Sequence, residues 1–216
     1  MDEHGVLYVA WGEEHIREAI ESSRSLIGNY QTCLVTDSKE DLTPYFSSVK
    51  AIEFTELMYL HPHIRRWIAL SMTPYPVTCM LDTDCVSPNP DLDLGFVLAR
   101  KYGFATTLSP GMTFGLEGTE YVHYNAGITF FRGYQKDLMQ EIFRVASENN
   151  FESDEAALSV ALRNLCINPA VLPACFNFVR AGQIHDRLIR IYHSPWKPVF
   201  SKIRSDGFGN DFPVGR

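Results

Sequence analysis

Two acids one residue apart, Asp82 and Asp84 in Leu81-Asp82-Thr83-Asp84, are the side chains whose types and spacing point most directly to chemistry. Alternate side chains of an extended strand share a face, so this spacing predicts both carboxylates on one side. Two carboxylates that close repel each other unless a cation lies between them. A divalent metal supplies that charge and can grip a diphosphate on its other side. The competing reading is structural, because acids that open a turn, here near Ser87-Pro88, are common in solvated loops. The pair gains weight from its setting, directly after a largely apolar run at 77–81. Open α/β sheets bind ligands just beyond the carboxyl ends of such strands.

The elements that must position the pair can be read from hydrophobic periodicity. Residues 6–10 form a short continuous apolar run, the mark of a strand buried on both faces. Gly12 follows, then a helical pattern with Ile16, Ala19, Ile20, Ser23 and Ile27 on one face. Strands are predicted at 33–35 and 49–52. His61-Pro62 then opens a helix with Pro at its first position and Ile64, Trp67, Ile68 and Met72 on one side. With the strand at 77–81, this order predicts an α/β fold with a mostly parallel central sheet flanked by helices. The second half reads as a helix at 91–101, strands at 104–108 and 124–131, and helices marked by Leu138, Ile142, Val145 and Ala146 and by Leu158, Ala161, Leu162 and Leu165. A late strand is expected at 188–192. Residues 114–123, with Gly115 and Gly118, read as a mobile loop over the site. The expectation is one domain over 1–216, with a nucleotide-binding half at about 5–90, a smaller sugar and acceptor half at about 91–200, and a flexible tail at 205–216.

Bulk properties exclude some classes. The formal net charge of −7 argues against a general nucleic-acid binder, which would carry a basic face. No run is long enough for a transmembrane helix. The acidic start lacks the pattern of a signal peptide, and no lipid-anchor motif is evident. The five cysteines, Cys33, Cys79, Cys85, Cys166 and Cys175, are odd in number and contain no C-x-x-C pair. They read as reduced thiols in a soluble cytoplasmic protein. No zinc spacing is present.

Six segments in order carry a family resemblance. They are Tyr8-Val9-Ala10-Trp11-Gly12 with Ser25-Leu26, then Val35-Thr36-Asp37, then Arg66 ahead of the acid pair. Tyr124-Asn125-Ala126-Gly127-Ile128 and Asp154-Glu155 come next, and last Ile191-Tyr192-His193 with Trp196-Lys197-Pro198. In this ordered set the chain resembles the GT-A class of nucleotide-diphospho-sugar glycosyltransferases, within it the glycogenin-like family 8 type. The resemblance implies a GT-A fold and transfer of a sugar from a nucleoside-diphosphate sugar, with a UDP-sugar favoured. The acceptor would be a hydroxyl on a glycan or glycoconjugate. It implies that Val9, Ala10, Trp11 and Gly12 cradle the nucleotide, that His15 stands where the family often has an aromatic against the base, and that Asp37 belongs to the donor site. Asp82, Thr83 and Asp84 would hold the metal and donor, and Arg66 and Lys197 would meet the diphosphate. Asn125, Ala126 and Gly127 would lie along the sugar. His193 is the implied third metal ligand, with His185 as its competitor. A neutral imidazole beside two carboxylates suits Mn²⁺ better than Mg²⁺.

Asp154 and Glu155 are the implied catalytic pair, although acids in a first turn after Ser153 also complement a helix dipole. The family pattern has Asp-Gln, and this chain has Asp-Glu. Glu155 could serve as the base of an inverting reaction, so retaining and inverting outcomes both stay open. Two other readings stand beside this one. A sugar-phosphate nucleotidyltransferase would need a Gly-rich basic loop after the first strand, where this chain has Trp11-Gly12-Glu13-Glu14-His15. A non-catalytic sugar- or partner-binding module would be favoured by loss of the acid pair, which is present.

Overall fold

The structure is a computed structural model that describes residues 4–26, 30–53, 57–87, 91–109, 122–177 and 191–193. The apolar run near the start becomes β1 (His4–Ala10). It lies between two parallel neighbours, β2 (Gln31–Thr36) and β4 (Val77–Leu81), while β3 (Ser48–Ala51) extends the sheet beyond β2. A strand flanked on both sides and covered on both faces must be apolar throughout. Its alternate residues accordingly enter two cores. Val6, Tyr8 and Ala10 face one, and Leu7 faces the other.

The first core is roofed by α1 (Glu13–Arg24) and α3 (Asp93–Tyr102). The second is roofed by α2 (Pro62–Arg65), α4 (Lys136–Asn149) and α5 (Asp154–Asn164). The result is a three-layer α/β architecture. The antiparallel strands β6 (Phe104–Leu108) and β7 (Tyr124–Arg132) and the short β8 (Ala170–Val171) complete the sheet, in the order β3-β2-β1-β4-β7-β6-β8. Four of its six pairings are parallel, as the sequence predicts. A separate two-stranded ribbon joins β5 (Cys85–Val86) to β9 (Tyr192–His193).

Three local expectations need correction. The helix that His61-Pro62 opens keeps Pro at its first position, but after one α turn it tightens into a 3₁₀ segment, Arg66–Ser71. At three residues per turn the buried face runs through Ile64, Trp67 and Leu70, with Ala69 also buried. Ile68 and Met72 are only half-buried. Second, Asp82 to Asp84 is not extended. The Cys85 amide donates to the Asp82 carbonyl at 3.2 Å, closing a turn between β4 and β5. Third, β5 and β8, two residues each, were not foreseen. Ile27, Pro88, His185, Lys197 with Trp196 and Pro198, residues 188–190 of the late strand, loop residues 114–121 and the tail at 205–216 lie outside the described residues. No helix among the described residues is long and apolar enough to cross a membrane.

Candidate donor site

The carboxyl ends of β1 and β4 lie side by side where the strand order reverses from β3-β2-β1 to β4. That crevice is where an open α/β sheet takes ligands. Here it is a cavity of about 270 Å³. Val9, Ala10 and Trp11 line it from the end of β1, His15 and Glu18 from α1, and Pro62, His63 and Arg66 from α2 and the 3₁₀ segment. Asp82, Thr83 and Asp84 line it from the β4–β5 turn. The acid pair therefore shares one cavity, although a turn and not strand alternation brings it there.

The backbone around the acids is pinned from below. The Asp82 amide donates to the Gly127 carbonyl at 2.9 Å, extending the β4–β7 ladder by one step. The Asn125 side-chain oxygen accepts from the Gly127 amide at 2.7 Å. Gly12 starts α1 at φ 77°, a backbone conformation that favours glycine, and an added Cβ would meet nothing within 4 Å. Its role is thus to bend the chain between β1 and α1.

Arg66 is the electrostatic centre of the floor. Its Nη1 contacts Asp82 Oδ1 and lies 3.2 Å from Asp154 Oδ2, while Nη2 donates to the Ala126 carbonyl at 2.9 Å. These side chains are 13%, 21% and 11% exposed for Arg66, Asp82 and Asp154, so the cluster is largely withdrawn from water. Burial works against the Arg66 charge, but Asp82 and Asp154 outweigh it and hold the guanidinium above its ordinary pKa. Burial pushes the Asp154 carboxyl up, Arg66 opposes that, and Asp82 adds to it by repulsion. Asp154 opens α5 behind the N-cap Ser153, whose Oγ accepts from the Ala156 amide at 3.4 Å. The helix-dipole reading and the site reading of Asp154 are therefore compatible.

Glu155 is fixed by two neighbours. Ser109 Oγ donates to its Oε2 at 2.8 Å and Asn125 Nδ2 donates to its Oε1. Asn125, Ala126, Asp154 and Glu155 form the floor behind Arg66 and are not part of the cavity wall. Asp37 is exposed just past β2 and Gly12 is exposed beside Trp11; neither belongs to the wall. His193 enters β9, whose register sets its backbone opposite Cys85, the residue after Asp84. Glu18 and His63 are wall residues that the sequence reading missed. The available signal was helical spacing, since each stands three positions from a residue already singled out, His15 and Arg66 respectively.

Asp82 and Asp84 are hard oxygen donors on one wall. They fit a divalent cation that completes its shell with phosphate oxygens and water. Among the described residues, no group of three or more His, Cys, Asp or Glu side chains could hold an ion by itself.

Comparison with solved structures places this architecture. The glycosyltransferase GlyE of Streptococcus pneumoniae TIGR4 superposes at a TM-score of 0.66 over 90% of this chain and 56% of its own, with 15% identity. This chain has the GT-A glycosyltransferase fold. The galactosyltransferase LgtC, in complex with donor and acceptor sugar analogs, matches at a TM-score of 0.60 over 89% of this chain and 87% of its own, with 12% identity. Mouse xyloside xylosyltransferase 1 matches at 0.57 over 90% of this chain and 98% of its own, also with 12% identity. The chain spans little more than half the length of GlyE. No protein-family profile matches the chain, and no curated protein matches it by sequence.

Proposed function

We propose that this chain is a metal-dependent glycosyltransferase that moves a sugar from a nucleoside-diphosphate sugar, a UDP-sugar by preference, to an acceptor hydroxyl on a glycan or glycoconjugate. The observation that carries the reading is the ion pair of Arg66 with Asp82, which lines one cavity together with Asp84 at the β1/β4 switch point of a GT-A fold. A cation held by Asp82 and Asp84, Mn²⁺ rather than Mg²⁺, would supply charge to the departing diphosphate. What favours His193 over His185 as a third ligand is the pairing of its backbone with Cys85. Lys197 remains the second candidate for the diphosphate.

The chain's own residues have distinct parts in this reading. Val9, Ala10, Trp11 and His15 would take the nucleoside, and Arg66 would orient the diphosphate end of the donor. Asn125, Ala126 and Gly127 would shape the sugar side from the floor. Asp154 holds Arg66 in place. Glu155, with both oxygens already oriented by Ser109 and Asn125, would receive the acceptor proton in an inverting reaction or stand beneath the developing cation in a retaining one. The five free thiols support a cytoplasmic location.

Incubating the chain with a panel of nucleotide sugars and Mn²⁺ should release free nucleoside diphosphate, and Asp84→Ala should abolish the release. Calorimetry with UDP and Mn²⁺ is the companion measurement. Equal affinity in the wild-type, Asp82→Ala and Asp84→Ala chains would remove the assignment.

A further inference from the structure

Glu18 has no place in the resemblance, yet it sits at the meeting point of two cavity walls. It stands on α1, lines the cavity, and its side chain is 20% exposed. Thr83 Oγ1, from the turn between the two acids, donates to Glu18 Oε2 at 3.0 Å. His15 Nδ1 lies 3.0 Å from the same oxygen. An ionised carboxylate can only accept hydrogen bonds. The single Thr83 hydroxyl proton is therefore spent on Glu18, and Thr83 has only lone pairs left to offer a ligand. By the same logic the His15 nitrogen that faces Glu18 carries a proton, and the contact orients the ring. One carboxylate thus turns the Thr83 hydroxyl, which could donate or accept in isolation, into an acceptor and fixes the His15 ring beside it.

We propose that Glu18 sets the hydrogen-bonding polarity of the α1 side of the cavity, so that this wall selects a ligand presenting donors, namely the hydroxyls of a ribonucleoside. The inference rests on the nucleoside-diphosphate reading given above and deepens it. It also fixes a direction. Glu18 and the acceptor it creates repel phosphate, whereas Arg66, beside Asp82 in the same cavity, attracts it. The ribose then belongs beside α1, and the diphosphate beside Arg66.

The test is calorimetry with Mn²⁺ and three probes: UDP, 2′-deoxy-UDP and 2′,3′-dideoxy-UDP. The wild-type chain should bind UDP roughly tenfold more tightly than the dideoxy analogue, the loss expected when charge-assisted acceptors go unpaired. Glu18→Gln keeps the side-chain shape but introduces a donor. It should narrow that preference to about threefold or less by weakening UDP, with the thermal midpoint unchanged. Thr83→Val should act in the same direction, and the double variant should lose no more than Glu18→Gln alone. A Glu18→Gln chain that keeps the full ribose preference overturns the proposal, as does an additive double variant. If Glu18→Gln does not fold, Thr83→Val carries the test, and full retention of the preference there overturns it. A wild-type chain that binds no UDP overturns the nucleotide-sugar reading itself, and this inference with it.

Discussion

The two sides of the cavity are built on different principles. The floor is buried and ionic: Arg66, Asp82 and Asp154 share one guanidinium, and Asn125 and Glu155 interlock behind it. The α1 wall is hydrogen-bonded and graded in exposure: His15 is more than half exposed, whereas Glu18, which accepts from Thr83, is as withdrawn as Asp82. Buried charges are costly to leave unpaired, so the floor can exist in few arrangements. Exposed hydrogen bonds cost little to rearrange, so the His15 end of the wall can change its ligand preference without endangering the fold. One side of the site thus has the rigidity that charge stabilisation needs, and the other has the latitude that recognition needs.

The contrast can be broken most forcefully at Arg66. Arg66→Ala leaves Asp154 buried with its cation removed and should cost about 3–5 kcal/mol of stability, measured by urea unfolding. A loss below about 1 kcal/mol would mean that the floor is wetter than described. A smaller break is Asn125→Ala, which removes a donor from Glu155 and the acceptor of the Gly127 amide. It should cost about 1–3 kcal/mol in the same assay. On the wall, His15→Ala should change stability by no more than about 0.5 kcal/mol while weakening UDP binding in calorimetry. Equal destabilisation by His15→Ala and Asn125→Ala would erase the distinction between floor and wall.

The smallest effect lies away from the site, where an exposed network gives a reference for the wall. Arg144 and Asn164 donate to Glu141, and these hydrogen bonds, Arg144 first, pull its carboxyl down to about 2. Because the folded value is depressed, the stabilisation is present above the ordinary carboxylate value near 4.5 and is lost as pH falls toward 2. Carboxyl titration by NMR should show Glu141 returning toward its ordinary value in Arg144→Ala. The accompanying stability change should be the smallest of the set, because Arg144 is half exposed and solvent screens the pair.

The parallel half of the sheet was readable because doubly covered strands must be continuously apolar, and 77–81 appeared with its observed limits. Asp82 and Asp84 were readable for a related reason: an abrupt change from apolar to acidic at a strand end is a local signal. Arg66 came from the family resemblance, but its partners Asp154 and the Ala126 carbonyl are 88 and 60 residues away, and no local pattern encodes such contacts. The shape of the acid turn was misjudged because strand alternation was carried past Leu81 as far as Asp84; the Cys85 amide turns back to Asp82 instead. Glu18 escaped notice because an acid on the polar face of an amphipathic helix already has an ordinary explanation as a solvated side chain. β5 and β8 are too short to show a period at all.

The ribbon between β5 and β9 has a consequence for how the protein is made. Cys85 directly follows Asp84, and its partner His193 is synthesised more than a hundred residues later. Ile191, just before it, is fully buried in the first core and donates to the Cys175 carbonyl at 3.3 Å. On the ribosome, the sheet from β1 to β7 can therefore assemble while the edge of the acid turn still waits for its last strand. The chain acquires its architecture early and closes its binding site late.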